Sequence, residues 1–82
     1  MALSETEVLA GLAAIVAEET GLDAAEVAGP KSFTEDLDID SLSMMTIVTL
    51  AEEKFNVRIP DEDVKNLVTV ADAVAYIAKA QG

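Results

Sequence analysis

The chain has no cysteine, no histidine and no tryptophan, and only five basic residues among 82. Without cysteine it can form neither a disulfide framework nor a thiolate nucleophile, and it offers no soft metal site. Without histidine as well, it lacks the groups on which most acyl-transfer enzymes rely. The five bases stand against sixteen acids, which leaves a formal net charge of −11. Such an excess repels nucleic acid and anionic lipid and attracts proteins with basic patches. No segment approaches about 18 uninterrupted apolar residues, and the start "MALSETEV" has neither a basic n-region nor an apolar run before a cleavage site. The expectation is a soluble, cytoplasmic, monomeric protein. Hydrophobic residues still make up 51% of the chain, which suits one small domain over residues 1–82 better than a disordered tail. A domain this short buries only about 60–65% of its unfolded surface, so its stability is marginal.

The apolar residues are ordered at helical spacing. Ser4 followed by Glu7 forms a capping box, and Val8, Leu12, Ile15 and Val16 recur on one face, predicting a helix from about Glu5 to Glu19 that stops near Gly21. From Gly21 to Asp40 no period is sustained and Gly29-Pro30 punctuates the middle. Leu22, Val27, Phe33, Leu37 and Ile39 supply apolar pins, so this reads as a long loop folded on the core, a kind of segment that tends to carry function. A second helix is expected from Asp40 or Ser41 to about Phe55, with Met44, Ile47, Val48, Ala51 and Phe55 as its buried stripe. At about 100° per residue, Leu42, Met45, Thr46, Thr49, Glu52 and Glu53 fall on the opposite side. "NVRIPDEDVKNL" predicts a link, an N-cap at Asp61 after the proline, and one or two helical turns carrying Val64 and Leu67. Thr69 with Asp72 repeats the capping signal ahead of Val70, Ala73, Val74 and Ile77. The fold class is all-α, a small four-helix bundle of three long helices and one short one.

The stretch "EDLDIDSL", Glu35 to Leu42, admits more than one chemistry. Aspartates at 36, 38 and 40 look like the start of a calcium loop. Such a loop would need glycine at its sixth position and a bidentate glutamate at its twelfth, where this chain has Ser41 and Ile47. No dedicated metal site is expected. In the plainest reading, Asp40 or Ser41 caps the second helix by accepting its first free N–H groups. A serine there is also exposed at the positive end of a helix dipole, a place that favours a phosphate as much as a cap.

The context decides between them. "DSL" (Asp40-Ser41-Leu42), the preceding "FTEDLDID", the later "AEEKF" and "IPDEDVKNLVTVADAVAYI" occur in order on an acidic chain. In these runs the sequence resembles the acyl carrier protein family, of the free-standing, bacterial fatty-acid-synthase type, over essentially its whole length. The resemblance implies that Ser41, flanked by Asp40 and Leu42, receives 4′-phosphopantetheine from coenzyme A through a separate phosphopantetheinyl transferase. The function implied is carriage rather than catalysis: acyl groups held as thioesters on the arm pass between fatty acid synthesis enzymes.

In such proteins acids around the second helix meet basic patches on partner enzymes, which makes Asp36, Asp38, Glu52, Glu53, Asp61 and Glu62 docking candidates here, with Leu42 and Met45 as an apolar centre ringed by charge. Family members of the fatty-acid type often carry acids two and five positions after the serine; this chain has Ser43 and Thr46, and Lys54 interrupts the acidic run. Met44, Val48, Ala51, Val64 and Leu67 read most simply as core, and by the resemblance they are candidates to line an acyl pocket between the second and third helices. The alternatives are a carrier for a type II polyketide pathway and an unmodified acidic helical adaptor for a basic protein. A peptidyl carrier would usually show glycine in place of Asp40.

Overall fold

The computed structural model describes residues 4–81. Met1, Ala2 and Leu3, part of the start read above as carrying no leader, lie outside the described residues, as does Gly82. Four helices follow one another: α1 (Glu5–Thr20), α2 (Ser41–Phe55), α3 (Asp61–Val64) and α4 (Val70–Gln81).

Local chemistry sets their ends. In the box that opens α1, the Glu7 N–H donates to Ser4 Oγ at 3.2 Å and the Ser4 N–H donates to Glu7 Oε1 at 3.1 Å. Gly21, at φ 79°, closes the helix by donating to the Ala17 carbonyl, a left-handed cap that glycine adopts without a Cβ penalty. Asn56 closes α2 in the same way at φ 54°. Thr69 and Asp72 open α4 reciprocally: the Asp72 N–H donates to Thr69 Oγ1 at 3.2 Å and the Thr69 N–H donates to Asp72 Oδ2 at 3.1 Å.

The start of α3 differs from the expectation. Asp61 is the first helical residue and Pro60 is the cap, its carbonyl accepting the N–H groups of Asp63 and Val64 at 2.9 and 3.1 Å. Proline serves because its extended backbone turns the chain in and it brings no N–H of its own to satisfy. The helix is a single turn, and Leu67 lies beyond it, past the turn at Lys65 and Asn66.

Helix α1 packs against both α2 and α4. Its Gly11 permits the close approach, since a Cβ there would stand 2.8 Å from the Phe55 ring. Val8, Leu12, Ile15 and Val16 meet Ile47, Val48, Ala51, Phe55, Val70, Ala73, Val74 and Ile77 in one buried cluster. The α2 stripe is therefore as expected except for Met44, which is half-buried.

The long loop is more ordered than its sequence suggests. It contains a short 3-10 turn at Ala24–Glu26, and Val27, Phe33, Leu37 and Ile39 all reach the core. Ser32 forms an isolated antiparallel bridge with Thr69, flanked by Phe33 N–H to Val68 carbonyl and Val70 N–H to Lys31 carbonyl bonds of 3.0 Å each. Asp38 takes a left-handed φ of 53°, and the next residue, Ile39, donates to the Phe33 carbonyl at 2.9 Å. The loop is thus tied at both ends of "FTEDLDI", delivering Asp40 and Ser41 to the mouth of α2.

Candidate functional site

Asp40 and Ser41, both eligible as the cap of α2 by sequence, differ in the structure. Asp40 is the cap: its backbone is extended and its Oδ1 accepts the Ser43 N–H at 2.8 Å. That bond, together with further bonding to Ser43, holds its carboxyl below the usual aspartate range, so Asp40 is an anion at neutral pH. Ser41 is then the first residue of α2 and its exposed hydroxyl is not the cap. No acid lies within the first turn of α2, which leaves the positive end of its dipole offset only by Asp40.

Beside Ser41 a groove of about 460 Å³ runs between α2 and α3. Phe33, Met44, Met45, Val64, Leu67 and Val68 give it an apolar lining, and Asp40, Asp61 and Lys65 are its charged members. A phosphate on Ser41 would face the start of α2, and an attached arm would have an apolar channel at hand. The residues present therefore fit a phosphopantetheine group.

The five pocket candidates separate into two places. Met44, Val64 and Leu67 line the open groove, whereas Val48 and Ala51 lie on an interior seam with space of only about 10 Å³. Val48 and Ala51 are core residues, sharing that seam with Leu12 of α1 and Ala73 and Ile77 of α4. Phe33, Met44 and Leu67 line both places and form the wall between them.

The docking candidates divide as well. Leu42 is 81% exposed and Met45 46%, so both stand where the helical spacing puts them. Val68, 56% exposed on the opposite wall of the groove, extends this apolar surface. It has no signature in the sequence, because a lone valine between buried Leu67 and half-buried Thr69 carries no periodic signal. Asp38, Glu53, Asp61 and Glu62 are exposed. Asp36 and Glu52 also serve the fold: Asp36 Oδ2 accepts the Ser32 N–H at 2.7 Å, and Glu52 Oε2 accepts the Ile59 N–H at 2.8 Å. Glu52 is half-buried and ties α2 to the segment leading into α3. A second polar tie holds α3 from below, where Tyr76 Oη donates to Asp63 Oδ2 at 2.7 Å. That bond, followed by desolvation and the nearby acids Asp63 and Glu52, raises the tyrosine pKa.

The three aspartates of "EDLDID" do not converge. With Asp36 turned to Ser32 and Asp40 to Ser43, no three acids among the described residues are placed to hold a metal ion. Nor is any helix among the described residues long and apolar enough to cross a membrane.

Comparison with known proteins gives four concordant findings. Residues 10–77, a span that contains Ser41, match the family model described as the phosphopantetheine attachment site. The acyl carrier protein of Kineococcus radiotolerans is 75% identical over 79 residues, which cover 96% of this chain and 98% of that one. The acyl carrier protein of Beutenbergia cavernae is 73% identical over 81 residues, covering 99% of each. Among solved structures, an acyl carrier protein from Enterococcus faecalis superposes with a TM-score of 0.79 at 33% identity, covering 95% of this chain and 99% of the other.

Proposed function

The chain belongs to the acyl carrier protein family, and we propose that it carries acyl groups on a 4′-phosphopantetheine arm attached to Ser41 and delivers them to the enzymes of fatty acid synthesis. Members of this family are carriers, not enzymes, and phosphopantetheine is their cofactor. When bound, the arm supplies the thiol that this chain lacks and holds the acyl group as a thioester.

The observation that carries the assignment to Ser41 is the division of labour at the start of α2. Because Asp40 satisfies the helix, the Ser41 hydroxyl is left exposed at the mouth of the apolar groove. Attachment forms the Oγ–phosphorus bond while the pyrophosphate linkage of coenzyme A breaks and adenosine 3′,5′-bisphosphate leaves. The hydroxyl proton must go to a base. Asp40 is a poor one, since its pKa is lowered and Oδ1 is committed to the Ser43 N–H. We assign the base to the phosphopantetheinyl transferase, which is the first partner in this reading.

Later partners are fatty acid synthesis enzymes with basic patches, met by the exposed acids Asp38, Glu53, Asp61 and Glu62 around Leu42, Met45 and Val68. Of these acids, Asp61 also lines the groove. We read residues 1–82 as a single carrier domain. Its continuous core and its radius of gyration of 11.2 Å, against roughly 12 Å for a compact domain of this length, support that reading. A monomer in the cytoplasm fits the charge of −11 and the partners named. The unmodified adaptor is set aside because the matching family is defined by phosphopantetheine attachment. The relatives are named simply as acyl carrier proteins, with no pathway in those names.

Incubation with coenzyme A and a broad phosphopantetheinyl transferase, followed by intact mass measurement, tests the reading. Wild type gains one phosphopantetheine and Ser41→Ala gains none. An unmodified wild type, or a modified Ser41→Ala, overturns the assignment.

A further inference from the structure

Three charged side chains line the groove beside Ser41, and Lys65 is the sole cation among them. It lies two residues after the acidic run Asp61, Glu62 and Asp63, beyond Val64, and stands at the C-terminal cap of α3, with its side chain exposed. The cap position suits a cation, because the last carbonyls of a helix are its negative end. No acid of this chain engages the ammonium among the described residues, although Asp40 and Asp61 share the groove. A basic residue placed here does not serve a docking surface made of acids. It does complement an anion brought to the groove by modification of Ser41.

We propose that Lys65 is a positioning residue for the phosphopantetheine arm, pairing across the groove with the phosphodiester on Ser41 and laying the arm along the wall formed by Val64, Leu67 and Val68. The inference rests on the assignment of the arm to Ser41. A phosphodiester is ionised throughout the working pH range, and attaching one adds a negative charge to a groove that already holds Asp40 and Asp61. Lys65 offsets that charge, and its flexible four-carbon stem lets the ammonium follow the phosphate without a fixed geometry. Because the pair is exposed, salt weakens it. The arm is therefore held loosely and can leave the groove for a docked enzyme.

The test uses the loaded protein and phosphorus NMR at low salt, with wild type, Lys65→Gln, Lys65→Arg and, as a control away from the groove, Lys54→Gln. We expect the phosphodiester resonance to shift in Lys65→Gln, to stay near its wild-type position in Lys65→Arg and Lys54→Gln, and to lose its dependence on Lys65 at high salt. On loading, the amide resonances of Thr34 and Val68 should move in wild type and less than half as far in Lys65→Gln. A phosphorus resonance that responds no more to Lys65→Gln than to Lys54→Gln, with the arm on Ser41, overturns the role of Lys65 while leaving the carrier assignment standing. A chain that accepts no arm, as judged by mass and by the missing phosphorus signal, overturns both.

Discussion

Truncating Leu42 and truncating Val48 should have opposite consequences, although the two residues lie less than two helical turns apart on α2. Full burial of a leucine is worth about 1.5–3 kcal/mol. Leu42 is 81% exposed and hides roughly a fifth of its surface, so Leu42→Ala forfeits at most about 0.5 kcal/mol of stability. Val48 is 6% exposed and faces the interior seam. Val48→Ala removes two buried methyl groups and leaves a void, at a net cost of about 1.5–2.5 kcal/mol after alanine's better helix propensity is counted. At about 4–8 °C per kcal/mol for a domain of this size, Val48→Ala should lower Tm by about 10 °C and Leu42→Ala by less than about 4 °C. Binding should reverse the order. As an exposed apolar anchor within an acidic ring, Leu42 should cost a partner enzyme at least about 1 kcal/mol when truncated, roughly a fivefold loss of affinity, mostly through faster dissociation. Circular dichroism melts at fixed ionic strength and stopped-flow kinetics with the phosphopantetheinyl transferase measure the two quantities. A Leu42→Ala variant that melts as early as Val48→Ala would refute the partition of α2 into a core face and a docking face.

Two further predictions concern charge. With a net charge of −11 on a body of 31 × 26 × 20 Å, self-repulsion should lower Tm at low ionic strength, and added salt or magnesium should raise it at neutral pH; a flat Tm across a salt series would show that the acids are already compensated. The single tyrosine should report on α3. Its protonated form is the one that donates to Asp63, and its pKa is raised above 10.0. Its contribution is therefore complete below the unfolded value and is lost as pH rises through the folded one. Wild type should accordingly be more stable than Tyr76→Phe at neutral pH, and the difference should vanish in strong alkali. An ultraviolet titration gives the ionisation directly, and a tyrosine titrating at its ordinary position would contradict the 2.7 Å bond to Asp63.

What the sequence revealed and what it concealed follow the range of the interactions. The capping boxes of α1 and α4, the glycine that ends α1 and the stripe of α2 rest on residues three or four apart, and these were legible. The exposed pair Leu42 and Met45 followed from the same spacing. The Ser32–Thr69 bridge joins residues far apart in the chain, and no local pattern announces it. Glu52 and Tyr76 have ordinary places on their helices. Only the folded chain brings Ile59 to one and Asp63 to the other. The same limit explains the pocket candidates: Met44 and Val48 share a face by spacing, but the position of the short α3 decides which of them meets the open groove. It also explains Lys65, whose value depends on its being across from Ser41. At Asp40 and Ser41 the sequence left both residues eligible as the cap, and one side-chain bond resolved it.

Locating the modification tests the assignment to Ser41 without intermediate steps. After loading by the transferase, digestion with trypsin should give the peptide 32–54, which contains Ser32, Ser41 and Ser43. Fragmentation that retains the phosphodiester then reads which serine carries it. Phosphopantetheine is expected on Ser41 alone, because Asp40 takes the cap and leaves that hydroxyl exposed at the groove. Phosphopantetheine on Ser43 or Ser32, or a peptide that remains unmodified, would contradict it.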